Sequence, residues 1–286
     1  MKIKKKILLI GFQKASLENF KQSISFFKKK KILLKLPFFF KFNNSNKKKF
    51  YLSKINKDYL RKKIKSHQII LGTSETNFEA QIFNYFKSIN CEPKVYIDSI
   101  TNLKLRFKYF IKLPDKIIVN NGLILSKLKK MIKKENNHIN YENIKMPYQR
   151  MLRKIFFKKF RENKKILYLS SDIGIQNELK NIKHIINFSK SLKIQKKIII
   201  SIHPRENLRE WKLYFQHEKL VSVSQNKNYY NAKDIRNVYG VSTMGLINYK
   251  FCGFKTFFFK NIRNYNDEFN ILLDYYNIEK AKFISF

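Results

Sequence analysis

Short apolar runs alternate along the chain with longer segments whose apolar positions recur every three or four residues. The runs predict strands at 6–12, 31–36, 68–72, 94–98 and 116–120. A second series follows at 165–170, 197–202, 220–223, 237–241 and 255–259. Between them, Phe78, Ile82, Tyr85 and Phe86 keep a helical period, as do Leu179, Ile182, Ile186 and Phe188. Strands that are apolar throughout and separated by helices belong to parallel sheets covered on both faces. The pattern predicts an α/β fold built from β-α-β units.

The series has a seam. Residues 133–150 are polar and irregular, without strand character, and a basic helix is expected at 151–161 before a new strand starts at Lys165. A chain of 286 residues suits two domains of ordinary size. The reading is two Rossmann-like domains, 1–145 and 160–286, facing a cleft in which ligands meet the carboxyl ends of the strands.

Composition narrows the classes. With 44% hydrophobic and 15% aromatic residues the chain can build a core, which excludes intrinsic disorder. The net charge of +41 favours polyanionic partners: nucleic acid, acidic lipid or phosphorylated substrates. Most of that charge is Lys, and the chain is equally rich in Ile, Asn, Phe and Tyr, residues with AT-rich codons. Codon bias therefore accounts for much of it. Arg, which makes bidentate contacts to bases and phosphates, is scarce, so no specific nucleic-acid partner is expected. The interleaved Lys and Phe of 38–49 suit single-stranded nucleic acid and an anionic membrane surface equally. Cys91 and Cys252 stand alone, so neither a disulfide framework nor a zinc site is expected. The apolar run near the N-terminus is too short for a signal segment, and no uncharged stretch approaches the ~20 residues of a membrane span. The expected location is the cytoplasm, with peripheral contact at the inner face of the cytoplasmic membrane.

Seven glycines leave no P-loop or GxGxxG motif, and HExxH and GxSxG are absent too. The strongest local signal is the apolar strand ending at Ile202 and breaking into His203-Pro204-Arg205-Glu206. Proline holds the preceding residue extended, which aims the imidazole from the strand's carboxyl tip. Two roles fit His203: donor of a hydrogen bond or proton to a phosphate, or cap of a surface turn. The second signal is Val241-Ser242-Thr243-Met244-Gly245, read as strand, tight turn and helix start. Hydroxyls and free N–H groups at such a helix N-terminus receive phosphate well.

His203-Pro204 followed by Ser242-Thr243 resembles the paired HP and S-S/T motifs of bacterial sialyltransferases and polysialyltransferases, GT-B glycosyltransferases of surface polysaccharide synthesis. The resemblance covers 165–259. It implies a donor-phosphate site made of Pro204, Arg205, Glu206, Ser242 and Thr243, with His203 catalytic. The implied substrates are a nucleotide-sugar donor, CMP-linked, and a glycan acceptor, with no further cofactor. The N-terminal half is more loosely similar to the acceptor side of such proteins, through Gly72-Thr73-Ser74 and Tyr96-Ile97-Asp98-Ser99. Glu79 and Asp98 are its best-placed acids for taking a proton from the acceptor. Asp98 also fits as a cap of the following helix, or as the ion-pair partner of Arg106. No acidic DxD-type pair ends a strand, so no metal is implied. The rival class is a non-catalytic basic protein that binds nucleic acid or anionic membranes. A nucleotide-sugar epimerase and a polyol-phosphate transferase are the rival enzymes.

Overall fold

Ile69 to Leu71, Val95 to Ile97 and Ile117 to Val119 are buried without interruption, so these runs are strands with both faces covered. The structure is a computed structural model that describes residues 6–11, 57–74, 77–132, 138–171, 173–225, 229–241, 243–259 and 267–281. It divides into two compact units, Met1–Tyr148 and Gln149–Phe286. The strand expected at 31–36 lies outside the described residues.

In the first unit β1 (Lys6–Ile10), β2 (His67–Leu71), β3 (Lys94–Ile97), β4 (Lys116–Val119) and β5 (Asn140–Asn143) form one sheet in that order, every pair parallel. Its helices are α1 (Lys57–Ser66), α2 (Phe78–Ser88), α3 (Leu103–Phe107) and α4 (Gly122–Met131). Helix α2 buries Phe78, Ile82, Tyr85 and Phe86, the helical stripe read from the sequence, and Phe83 besides. Strand β5 falls inside the segment expected to lack strands. Its sequence, Asn-Tyr-Glu-Asn, is polar because it is an edge strand with alternate residues exposed, and backbone bonds to β4 hold it.

The second unit contains α5 (Pro147–Phe156) save its first two residues, then β6 (Lys165–Leu169), α6 (Ile175–Ser191), β7 (Lys197–Ser201), α7 (Leu208–Tyr214) and β8 (Val221–Ser224). There follow β9 (Ile235–Gly240), α8 (Met244–Phe251), β10 (Lys255–Phe258), α9 (Asp267–Tyr275) and β11 (Glu279–Lys280). The strand order is β11-β10-β9-β6-β7-β8, all parallel. The chain thus moves outward from β6 to β8 on one side, then returns and continues from β9 on the other. That is the doubly wound Rossmann order, with its switch point between β6 and β9. Ile166, Tyr168, Ile182, Ile198, Ile200 and Trp211 form the centre of the core on one face.

The helix expected at 151–161 is shifted. It starts at Pro147, where proline's missing N–H costs nothing, and ends at Phe156, whose carbonyl accepts a hydrogen bond from Arg161 Nη2 at 3.0 Å. Arg161 turns inward: its guanidinium also donates to the carbonyls of Ala232, Tyr230 (3.1 Å) and Cys252 (2.8 Å) and lies 3.6 Å from the Phe254 ring centre. Gly253 has φ +88°, and a Cβ there would stand 2.5 Å from the Lys158 carbonyl. Only glycine lets this turn lie against the Lys158 carbonyl and the Phe157 ring.

Candidate functional site

The register puts Ser201 of β7, Leu169 of β6 and Gly240 of β9 in one row across the second sheet. Each of the three strands ends at that row, so Ser170, Ile202 to Glu206, Val241 and Thr243 all emerge at the same carboxyl edge. With strands ~4.8 Å apart, the tips of β7 and β9 are separated by about 10 Å, the reach of a nucleotide's phosphate and ribose.

The His-Pro tip is a braced turn. The Glu206 amide donates to the His203 carbonyl at 2.9 Å and closes it. The His203 amide donates to both Ser170 Oγ (2.6 Å) and Glu206 Oε2 (3.1 Å), and the Ser170 hydroxyl donates to that same carboxylate oxygen. The Arg205 amide donates to His203 Nδ1 at 3.4 Å. Pro204 and Arg205 are exposed at the rim. The Glu206 carboxylate is bound to the turn itself, so its position is that of a brace. Its other oxygen, Oε1, and the hydroxyl of Ser171 are buried without a hydrogen-bond partner among the described residues.

On the β9 side Thr243 is the N-cap of α8, its Oγ1 accepting from the Gly245 amide at 3.2 Å. A Cβ on Gly240 would lie 3.0 Å from the Leu169 carbonyl, and one on Gly245 would lie 2.8 Å from Leu169 Cδ1. These two glycines let the tips of β6 and β9 and the start of α8 approach closely. Ser242 lies outside the described residues.

Sequence reasoning missed the groups behind the β6 tip. Glu178, fully buried in the first turn of α6, accepts from the Tyr168 hydroxyl at 2.5 Å and from the Ser171 amide at 2.7 Å. Burial pushes its carboxyl up to about 8, aided by the nearby charge of Glu206, against the two donors that favour ionisation. The proton is therefore held by the folded protein at pH 7 and released by the unfolded chain. The stability this adds is whole below about pH 4.5 and is lost as pH rises toward 8. Glu178→Gln, which cannot ionise, is expected to flatten the dependence of Tm on pH. Relative to wild type it should gain about 3–5 kcal/mol between pH 5 and 9. Parallel Tm–pH curves for the two proteins would show that Glu178 is not the titrating group.

In the first unit Thr73 and Ser74 follow β2, and Asp98 follows β3, again at carboxyl ends. Ser74 Oγ donates to Glu79 Oε2 at 2.5 Å, and Glu79 is 1% exposed. Asp98 Oδ1 meets Arg106 Nη1 at 3.2 Å, and the same nitrogen donates to the Thr73 carbonyl at 2.7 Å. Burial raises the Asp98 carboxyl above its ordinary range while Arg106 pulls it back. Of the two structural roles open to Asp98, the ion pair is the one found. The N-cap of α3 is Asn102, in a left-handed conformation, with no side-chain cap. Glu79 and Asp98 belong to the first unit, and His203, Glu206 and Thr243 to the second. Among the described residues no group of three His, Cys, Asp or Glu is placed to hold a metal ion, and no helix is long and apolar enough to cross a membrane.

The sequence matches no protein-family model and no curated protein. Solved structures do resemble it. Methanocaldococcus jannaschii UDP-GlcNAc 2-epimerase, in complex with UDP-GlcNAc and UDP, superposes with a TM-score of 0.54 at 12% identity, covering 88% of this chain and 83% of that one. UGT2 of Phytolacca americana, complexed with UDP-2-fluoro-glucose and pterostilbene, gives 0.53 at 8% identity over 96% and 83%. The UDP complex of S. aureus MnaA gives 0.52 at 12% identity over 90% and 79%. These likenesses establish the architecture. The chain has the GT-B fold, two parallel, Rossmann-like α/β units.

Proposed function

We propose that the protein is a glycosyltransferase that moves a sugar from a nucleotide-activated donor to a glycan acceptor. The observation that carries this reading is the carboxyl edge of the second sheet, where a braced histidine and a Thr243-capped helix N-terminus flank the β6–β9 switch point. Such a crevice is where open α/β sheets take nucleotides. UDP and UDP-sugars are the ligands named for the compared structures, which supports a nucleotide-sugar donor. The His203-Pro204 and Ser242-Thr243 pairs favour a CMP-linked sugar of the sialic acid type.

In this reading the donor's phosphate lies against the N-terminus of α8 and within reach of the His203 imidazole. When the bond between sugar carbon and phosphate oxygen breaks, its electron pair stays on the phosphate. The histidine then stabilises or protonates that oxygen. The acceptor hydroxyl forms the new bond and gives up its proton to a general base. A nucleotide-sugar epimerase would use the same donor site, and the likeness to the M. jannaschii enzyme supports it as second reading.

Thermal unfolding with CMP, UDP, GDP, ADP and inorganic polyphosphate tests the donor site. One nucleotide is expected to raise Tm by about 5–10 °C at a hundredfold excess over its Kd. Equal shifts from all five would instead identify a generic binder of polyanions. With the stabilising nucleotide known, transfer from its sugar conjugate to a glycan separates transferase from epimerase.

A further inference from the structure

The end of α5 and the residues after it display apolar side chains that their backbone is not free to withdraw. Ile155 is 61% exposed, Phe157 44% and Phe160 76%. This is no frayed end, because the segment is fixed at several points. Arg161 donates to four carbonyls from inside, the Lys158 amide donates to the Cys252 carbonyl at 3.3 Å, and Gly253 packs against the Lys158 carbonyl and one edge of the Phe157 ring. A soluble surface with a stapled backbone leaves such residues in water only at a cost of apolar hydration.

Basic side chains surround them. Arg153, Lys154 and Lys159 are all exposed, and no acidic residue occurs between Glu142 and Glu162. Aromatic and aliphatic tips ringed by cations are the makeup of a segment that lies in the headgroup layer of a bilayer. Other occupants fit less well. A second copy of this chain on the same patch would set these cations against themselves. A nucleic acid would want open ring faces, but the Arg153 guanidinium already lies over Phe157, 5.5 Å from its centre, and Ile155 has no ring to stack.

We propose that residues 153–160 are a membrane-contact surface for anionic lipid. Ile155, Phe157 and Phe160 enter the boundary between headgroups and acyl chains, and Arg153, Lys154 and Lys159 stay level with the lipid phosphates. The surface is independent of the donor site, and its test does not require sugar transfer.

The full-length protein is titrated with vesicles of two parts phosphatidylcholine to one part phosphatidylglycerol. Because the whole chain is basic, binding is read at about 0.5 M salt, where a Debye length near ~4 Å screens diffuse attraction. The double variant Ile155→Ser/Phe160→Ser is expected to bind at least about tenfold more weakly than wild type. Ile194→Ser, at a residue 83% exposed in another lysine-rich loop, is expected to bind as wild type does. In a second measurement, the Phe157→Trp variant should shift its tryptophan emission to the blue on vesicles, over the constant signal of buried Trp211. Unchanged binding by the double variant, or unmoved emission from the vesicle-bound Phe157→Trp variant, would overturn the proposal. So would tighter patch-dependent binding to single-stranded RNA, or a dimer in sedimentation that the double variant abolishes.

Discussion

Replacing His203 by alanine is expected to lower the rate of sugar transfer by about 10²–10⁴-fold, the contribution of a positioned general acid. The fold should survive this change. The turn is braced through the backbone amide of His203, which donates to Ser170 and Glu206, and through the Glu206 amide on the His203 carbonyl. The imidazole adds to them only the long 3.4 Å bond it accepts from the Arg205 amide, so Tm should stay within about 2 °C of wild type. His203→Gln keeps a hydrogen-bond donor but cannot transfer a proton at useful pH. Substantial activity in that variant assigns the histidine to charge stabilisation, and near-complete loss assigns it to acid catalysis. If His203→Ala instead unfolds the protein and donor affinity per folded molecule is unchanged, the histidine is structural.

Arg161→Ala is expected to be the most destabilising single substitution among the residues discussed. It removes a guanidinium that donates to four carbonyls and stacks on Phe254, taking a donor from each, with the Lys158 amide left to that of Cys252. Hydrogen bonds to a charged group and the acceptors that lose its donors together set the loss at about 3–5 kcal/mol. That is a large part of the roughly 5–15 kcal/mol by which a domain is stable. Arg161→Lys should recover little, since one ammonium cannot reach carbonyls at 156, 230, 232 and 252 together. Chemical denaturation measures this directly. A loss under about 1 kcal/mol for the alanine variant would mean that the carbonyls find other partners.

The central strands were legible because parallel strands buried on both faces read as unbroken apolar runs. Lys-Ile-Ile-Ile-Ser of β7 and Lys-Ile-Leu-Tyr-Leu of β6 are of that kind. Strand β5 was not, because an edge strand keeps its place through backbone pairing and needs no apolar signature. Strand β11, two residues long, is too short to carry any pattern. The His-Pro tip was visible because proline marks an abrupt strand end, but its bracing was not. Ser170 comes beside His203 only through the pairing of β6 with β7, a register that sequence spacing does not contain. The same holds for Glu178, which reaches Ser171 by the fold of α6 back over the sheet. Arg161 looked like one more cation of a basic helix. Its burial depends on carbonyls some 70 to 90 residues away in the chain.

A nucleotide bound at the carboxyl edge of the second sheet is the centre of the functional reading. Amide hydrogen exchange with and without the stabilising nucleotide tests it most directly. Exchange at 203–206 and 243–247 is expected to slow by at least about tenfold at saturation. Protection confined to other segments, with these two unchanged while Tm rises, would contradict it.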